Sequence, residues 1–234
     1  KGRCVPCPRA ISVVAALTDV GLAPRGAFHP TAADGVPPLP DGREAATMIL
    51  AGNAGPAMWQ RFSAERQATD EPNCLDGWSK RVLKALATAL GGHAIFPSDG
   101  PPYVPFQRWA QRAEPVYPSP IGPLIHPDYG LWHAYRGVLI FAETFDLPPP
   151  DDRPSPCESC TDKPCLTTCP VGAMTPDGYN VPVCADHLAG ADSADCLDQS
   201  CAARRACPVG RAYTYDTAQS QFHMAAFIRA LRPG

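Results

Sequence analysis

The sequence predicts an α+β protein in two parts: a mixed helix–strand domain over residues 1–150, and a small loop-rich domain over 151–234 closed by a C-terminal helix. Three observations carry this. Eight of the eleven cysteines fall in the stretch 157–207, so the second part is built around thiols. Leu147-Pro-Pro-Pro150 and Pro154 to Pro156 form a stiff linker between the parts. The first part alternates short apolar runs with amphipathic stretches, and 234 residues at 45% hydrophobic content suffice for one large or two small cores.

In chain order, residues 9–22 read as a helix with Ile11, Val14, Thr18 and Leu22 on one face. Residues 30–42 are a loop rich in Pro and Gly. Thr47-Met-Ile-Leu-Ala51 reads as a buried strand. Gly52-Asn-Ala-Gly55 follows, and Pro56 opens a helix at its first turn. A glycine-rich turn between strand and helix can hold a phosphate, although this one has no Gly-x-Gly-x-x-Gly pattern. Trp78–Leu90 is the clearest amphipathic helix, with Val82, Leu83, Leu86 and Leu90 as its buried stripe and Gly91-Gly92 as its stop. Cys74, just before it, reads as a buried apolar residue. Ala94–Phe96 is a strand and Phe106–Glu114 a short helix. Val138–Phe141 is a central strand, and Ala218–Leu231 the closing helix. At the N-terminus, Cys4-Val-Pro-Cys7 is open to three readings: a redox pair, half of a zinc site, or chance.

The cysteines form two runs. The first is Cys157, Cys160, Cys165 and Cys169; the second is Cys184, Cys196, Cys201 and Cys207. Each run closes on Cys-Pro-Val-Gly. A [4Fe–4S] cube offers one outward position on each of four irons, and thiolate is the soft ligand such clusters prefer. The proline after the last cysteine of each run fixes φ and turns the chain away. Structural zinc and disulfides remain as alternative uses of the same thiols.

This stretch resembles the bacterial two-cluster ferredoxin module, most closely its loose variant in epoxyqueuosine reductases. One gap of the first run is widened to four residues, and the second run reads C-x4-C-x5-C-P. The resemblance implies crossed ligation, in which the Cys-Pro cysteine serves the other cluster. Cluster one would then take Cys157, Cys160, Cys165 and Cys207. Cluster two would take Cys169, Cys184, Cys196 and Cys201.

A second resemblance lies upstream. Ile125-His126-Pro127-Asp-Tyr-Gly130-Leu-Trp132-His-Ala-Tyr-Arg136-Gly137-Val-Leu139 looks like the cobalamin-processing CblC (MMACHC) family, and Thr47–Met58 is similar to its early strand–helix. CblC proteins and epoxyqueuosine reductases share a modified nitroreductase-type core, so the resemblance implies such a domain over 1–150 and a ferredoxin-like domain over 151–234. It also implies cobalamin as a cofactor, with His126, Trp132 and Arg136 as candidate contacts. Read from the residues alone, Trp132 is core and His126 a turn residue before Pro127. Arg136 opens an apolar strand and needs an anion. Epoxyqueuosine reductases carry an Asp before this segment; residues 103–120 offer only Glu114.

Net charge is −3, unevenly spread: nine acids against four bases between 151 and 210 give −5, leaving +2 elsewhere. That half suits a basic redox partner or low-potential electron donor rather than nucleic acid. No apolar run reaches membrane-span length, and no cleavage site follows Ile11–Leu17. With oxygen-sensitive thiols, this makes the cytoplasm the expected compartment. The preferred reading is electron delivery through two clusters to a corrinoid. Its rivals are a plain electron-transfer protein and an FMN-dependent flavin reductase.

Overall fold

The computed structural model describes residues 8–66 and 74–231. Cys4 and Cys7 lie outside the described residues. The chain divides into two compact units, one within 1–115 and 134–152, the other within 116–133 and 153–234. The segment 116–133, which falls inside the span 1–150, groups with the cysteine-rich part.

In the first unit, α1 (Pro8–Asp19) is followed by β1 (Ala23–Phe28), β2 (Thr47–Ala54), α2 (Ala57–Glu65), α3 (Cys74–Ala89), β3 (His93–Ile95) and α4 (Phe106–Ala113). After β4 (Tyr117–Pro118) and β5 (Leu124–Ile125) of the second unit, β6 (His133–Phe141) returns to the first. The sheet order is β1-β2-β6-β3, with β1 antiparallel to β2 and β3 antiparallel to β6. The two middle strands are the two long apolar runs. β2 is buried from Thr47 to Asn53, and Val138 to Phe141 of β6 are at most 1% exposed. Strands covered on both faces lose the polar alternation of a half-wet strand.

α3 begins at Cys74, earlier than the Trp78 start read from sequence, because Leu75, Trp78 and Ser79 extend the stripe of Leu83 and Ala87. Cys74 itself is half-buried. Trp78 meets Phe62 of α2 edge to face at 5.8 Å. α1 buries the stripe Ala10, Val13 and Leu17, and leaves Ile11 and Val14 exposed. The expected stripe was rotated off by one position, since Leu22 lies beyond the helix end and is buried on its own account. Gly52 is no phosphate turn: it is inside β2, and a Cβ there would lie 2.0 Å from the Ala134 carbonyl oxygen. Glycine is needed because β6 passes too close for a side chain.

The second unit continues with α5 (Pro156–Ser159), α6 (Pro164–Thr167), the hairpin β7 (Met174–Thr175) and β8 (Gly178–Tyr179), α7 (Val181–Ala189), α8 (Ala194–Gln199), α9 (Ala202–Ala206) and α10 (Thr217–Leu231). Three of these helices start on a proline in the first turn, where a missing N–H costs nothing. Ser155 and Asn180 cap two of them, accepting from the Cys157 and Val183 amides. α10 packs on α7 and α8. Met224, Phe227 and Ile228 are its inward stripe against Leu188, Cys196 and Ala202. No helix among the described residues is long and apolar enough to cross a membrane.

Candidate metal centre

The nine described cysteines are free thiols, and eight of them gather in the second unit. Burial pushes the Cys157, Cys165 and Cys207 thiols up, and neighbouring thiols add to it. Cys207 and Cys160 act on Cys157; Cys207, Cys157 and Cys160 act on Cys165; Cys160 acts on Cys207. Burial likewise pushes up Cys184, Cys196 and Cys201. Cys169 and Cys196 add to Cys184, Cys201 adds to Cys196, and Cys184 and Cys169 add to Cys201. Each of these couplings stays within its group of four. Cys207, last in the chain, stands with the first three.

Each group rings an apolar cavity. Cys157, Cys160, Cys165 and Cys207 line one of about 20 Å³, walled by Ile125, Val209 and four prolines. Cys169, Cys184, Cys196 and Cys201 line one of about 240 Å³, walled in part by Leu188, Met224 and Phe227. Polar hydrogens point at the sulfurs. The Ala173 amide donates to Cys169 Sγ at 3.3 Å. Main-chain N–H groups of Ala202, of Ala203 and Arg204, and of Val209 hold down the pKa of Cys196, Cys201 and Cys207 respectively. The Tyr179 hydroxyl donates to Cys184, and that hydroxyl's own pKa is pushed up, first by burial and then by the thiol. A thiol favours such donors once it is a thiolate, and a metal makes it one.

Among the described residues, no three His, Cys, Asp or Glu side chains close up tightly enough to hold a single ion. Four soft donors around a mostly apolar cavity fit a [4Fe–4S] cluster in donor type and number.

Two loops that lead into middle cysteines are strained. Lys163 (φ 38°) precedes Cys165 by two residues, and Ser200 (φ 75°, ψ 169°) directly precedes Cys201. Such backbone costs on the order of 1–3 kcal/mol in a non-glycine residue and persists where the surroundings over-determine it. The widened gaps of both runs fall here, at Thr161–Pro164 and Leu197–Ser200.

His126, Trp132 and Arg136 divide between the units. His126 is 5% exposed; its Nδ1 accepts from the Asp128 and Tyr129 amides at 3.0 and 3.3 Å, which leaves the ring proton on Nε2. Its ring stacks on Tyr129 at 4.2 Å. Trp132 is buried against Tyr215 and the Arg204 guanidinium. Arg136, on β6 in the other unit, stands 3.8 Å from Asp76. Gly130 (φ 56°) and Gly210 (φ 75°) let two backbones cross: a Cβ on either would lie within about 2.2 Å of the other segment's carbonyl oxygen. This crossing ties the His126 loop to the second Cys-Pro-Val-Gly turn.

Glu114 proves to be one corner of a buried network. Arg25, 0% exposed, donates to both of its carboxylate oxygens, and the Tyr135 hydroxyl donates to Oε1 at 2.5 Å. Burial and then the Glu114 charge push the Tyr135 hydroxyl pKa far up, so it stays a neutral donor. Sequence reading missed Arg25, because Ala23–Phe28 carries Pro and Gly and shows no strand pattern. It also missed Tyr179 and Arg204, whose only signal was nearness to cysteine.

No family model matches the chain, and no curated relative matches it. Solved structures do. The B12-trafficking protein CblC of C. elegans, a human MMACHC homologue, is similar with a TM-score of 0.55 at 14% identity over 96% of each chain. A selenomethionine-labelled epoxyqueuosine reductase is similar with a TM-score of 0.51 at 15% identity, over 91% of this chain and 68% of that one. At such identities the likeness is one of fold: this chain is a mixed helix-and-sheet protein with the architecture seen in CblC and epoxyqueuosine reductase.

Proposed function

We propose that this protein is an iron–sulfur redox protein that passes electrons through two [4Fe–4S] clusters to a corrinoid. The observation that carries the reading is the partition of eight thiols into two groups of four, each ringing its own apolar cavity. Cys157, Cys160, Cys165 and Cys207 would hold one cluster; Cys169, Cys184, Cys196 and Cys201 would hold the other, in a ferredoxin-like domain. When bound, the clusters supply low-potential one-electron steps. The chain's own part is to exclude water with apolar walls, to orient the thiolates and to stabilise them with N–H and O–H donors, all levers on potential.

Electrons would enter at the first group. Cys157 and Cys160 line an open groove of about 920 Å³ together with Tyr117, Ser119, Glu158 and Lys163. Glu158 is exposed, as are Asp162 and Asp177 beside other groove residues. The net charge of −5 between residues 151 and 210 suits a donor protein with a basic face.

The fold similarity to a B12-trafficking protein supports a corrinoid as the acceptor, held by the nitroreductase-like first domain. Arg136 would hold an anionic group of the corrinoid or of a thiol cosubstrate through charge-assisted hydrogen bonds. His126 and Trp132 belong to the other compact unit and are given no part in this contact. The test is the absorption spectrum of the anaerobic protein mixed with Co(II) cobalamin, before and after a low-potential reductant. A shift on binding and a second on reduction are expected. Arg136→Gln should weaken binding by about 1–3 kcal/mol and leave iron content unchanged. If cobalamin gives neither shift nor binding heat while the iron still reduces reversibly, the corrinoid is not the acceptor and the chain is a plain electron carrier.

A further inference from the structure

Arg204 lies on α9, between Cys201 and Cys207 in sequence. Its half-buried guanidinium is held on three sides. Nε and Nη2 donate to the Leu131 carbonyl at 3.1 and 2.6 Å. Its Cζ sits 4.4 Å from the Trp132 ring centroid and 4.7 Å from that of Tyr215. Those two rings meet at 5.3 Å and 69°. The cation is therefore fixed in place rather than swept through solvent.

It has no carboxylate. Arg25, Arg112, Arg153 and Arg205 each pair with one: Glu114, Asp34, Asp128 and Asp195. Among the described residues no acid stands within ion-pair distance of Arg204. A carbonyl supplies a partial charge only, and a partly desolvated guanidinium calls for a full one. Arg204 also lines the cavity ringed by Cys169, Cys184, Cys196 and Cys201. Four thiolates around that cavity would supply the missing anion.

We propose that Arg204 is the electrostatic partner of the cluster held by Cys169, Cys184, Cys196 and Cys201, and that it raises that cluster's reduction potential. The proposal rests on the cluster reading above. A one-electron reduction adds a negative charge to the cluster, and a fixed cation beside it stabilises the reduced form more than the oxidised one. The first group has cations of another kind. Lys163 near Cys157 and Arg211 near Cys207 are exposed, where water and salt screen them. The charge of Arg205, near Cys196, is offset by Asp195. The second cluster is thereby the more oxidising of the two. An electron delivered to the first by a low-potential donor passes to the second, oxidising one and reducing the other with no proton required.

The test is a redox titration of the full chain, purified anaerobically and followed by EPR, for wild type, Arg204→Gln and Arg204→Lys. Cys160→Ser marks the signal of the first cluster. Arg204→Gln is expected to disfavour reduction of the second cluster about tenfold, a fall of about 59 mV for one electron, with the first cluster moving less. Arg204→Lys keeps the charge but loses the planar fork, and should keep most of the wild-type midpoint. If the Gln chain does not retain its second cluster, the Lys chain decides by the same criterion. An unmoved second midpoint in Gln, or a tenfold loss in Lys, overturns the proposal and leaves the clusters standing. A wild-type chain with no iron–sulfur signal overturns the reading beneath it.

Discussion

Cys207→Ala should abolish the cluster of the first run and spare that of the second, lowering iron from about eight to about four per chain. In sequence Cys207 closes the second run, and an uncrossed arrangement would pair it with Cys184, Cys196 and Cys201. In space it is buried against the other group. Its thiol is among those that raise Cys157 and Cys165, and it lines the small cavity with Cys157, Cys160 and Cys165. The Pro208-Val209-Gly210 turn then carries the chain under Tyr129, where only glycine fits. Each run therefore gives its Cys-Pro cysteine to the other's group. EPR of the reduced variant measures the outcome against Cys160→Ala and Cys196→Ala. A Cys207→Ala spectrum that matches Cys196→Ala would show the ligation to be uncrossed.

Glu114→Leu should destabilise the first unit by about 3–5 kcal/mol, the scale for removing one partner of a buried ion pair. Arg25 is fully buried and would keep its charge without this carboxylate, with the Asn53 carbonyl and the face of the Tyr135 ring among its remaining contacts. The Tyr135 hydroxyl would lose its hydrogen bond to Glu114 as well. Arg25→Met combined with Glu114→Leu should recover most of the loss, because the cost lies in the stranded charge rather than in the absent attraction. Denaturant titration followed by near-ultraviolet circular dichroism measures this. A Glu114→Leu chain of wild-type stability would show that the buried Arg25 does not depend on this carboxylate.

Where apolar runs were long, the fold was legible. β2 and β6 read as buried strands because both of their faces are covered, and α3 read as a helix because its stripe runs unbroken from Leu75 to Ala87. β1 was not legible. Its residues are set by pairing with β2 across a bulge between Pro24 and Ala27, which no local pattern records. Gly52 misled, since a glycine demanded by a neighbouring backbone looks in sequence like one demanded by a phosphate. The run from Ile125 to Leu139 reads as one motif, yet its two halves belong to different compact units, parting between His133 and Ala134. Sequence continuity carries no information about such a division. The thiols were legible as chemistry from their number and spacing. The cation beside them was not, because what distinguishes Arg204 from Arg205 is which of them has an acid nearby, and that is decided by tertiary packing.

The central claim is that eight thiols hold two iron–sulfur cubes. Metal and acid-labile sulfide per chain, measured on anaerobically purified protein alongside EPR of the reduced sample, test it most directly. The account predicts about eight irons and about eight sulfides, with signals that appear on reduction. Zinc in place of iron, with no labile sulfide after anaerobic reconstitution, would contradict it.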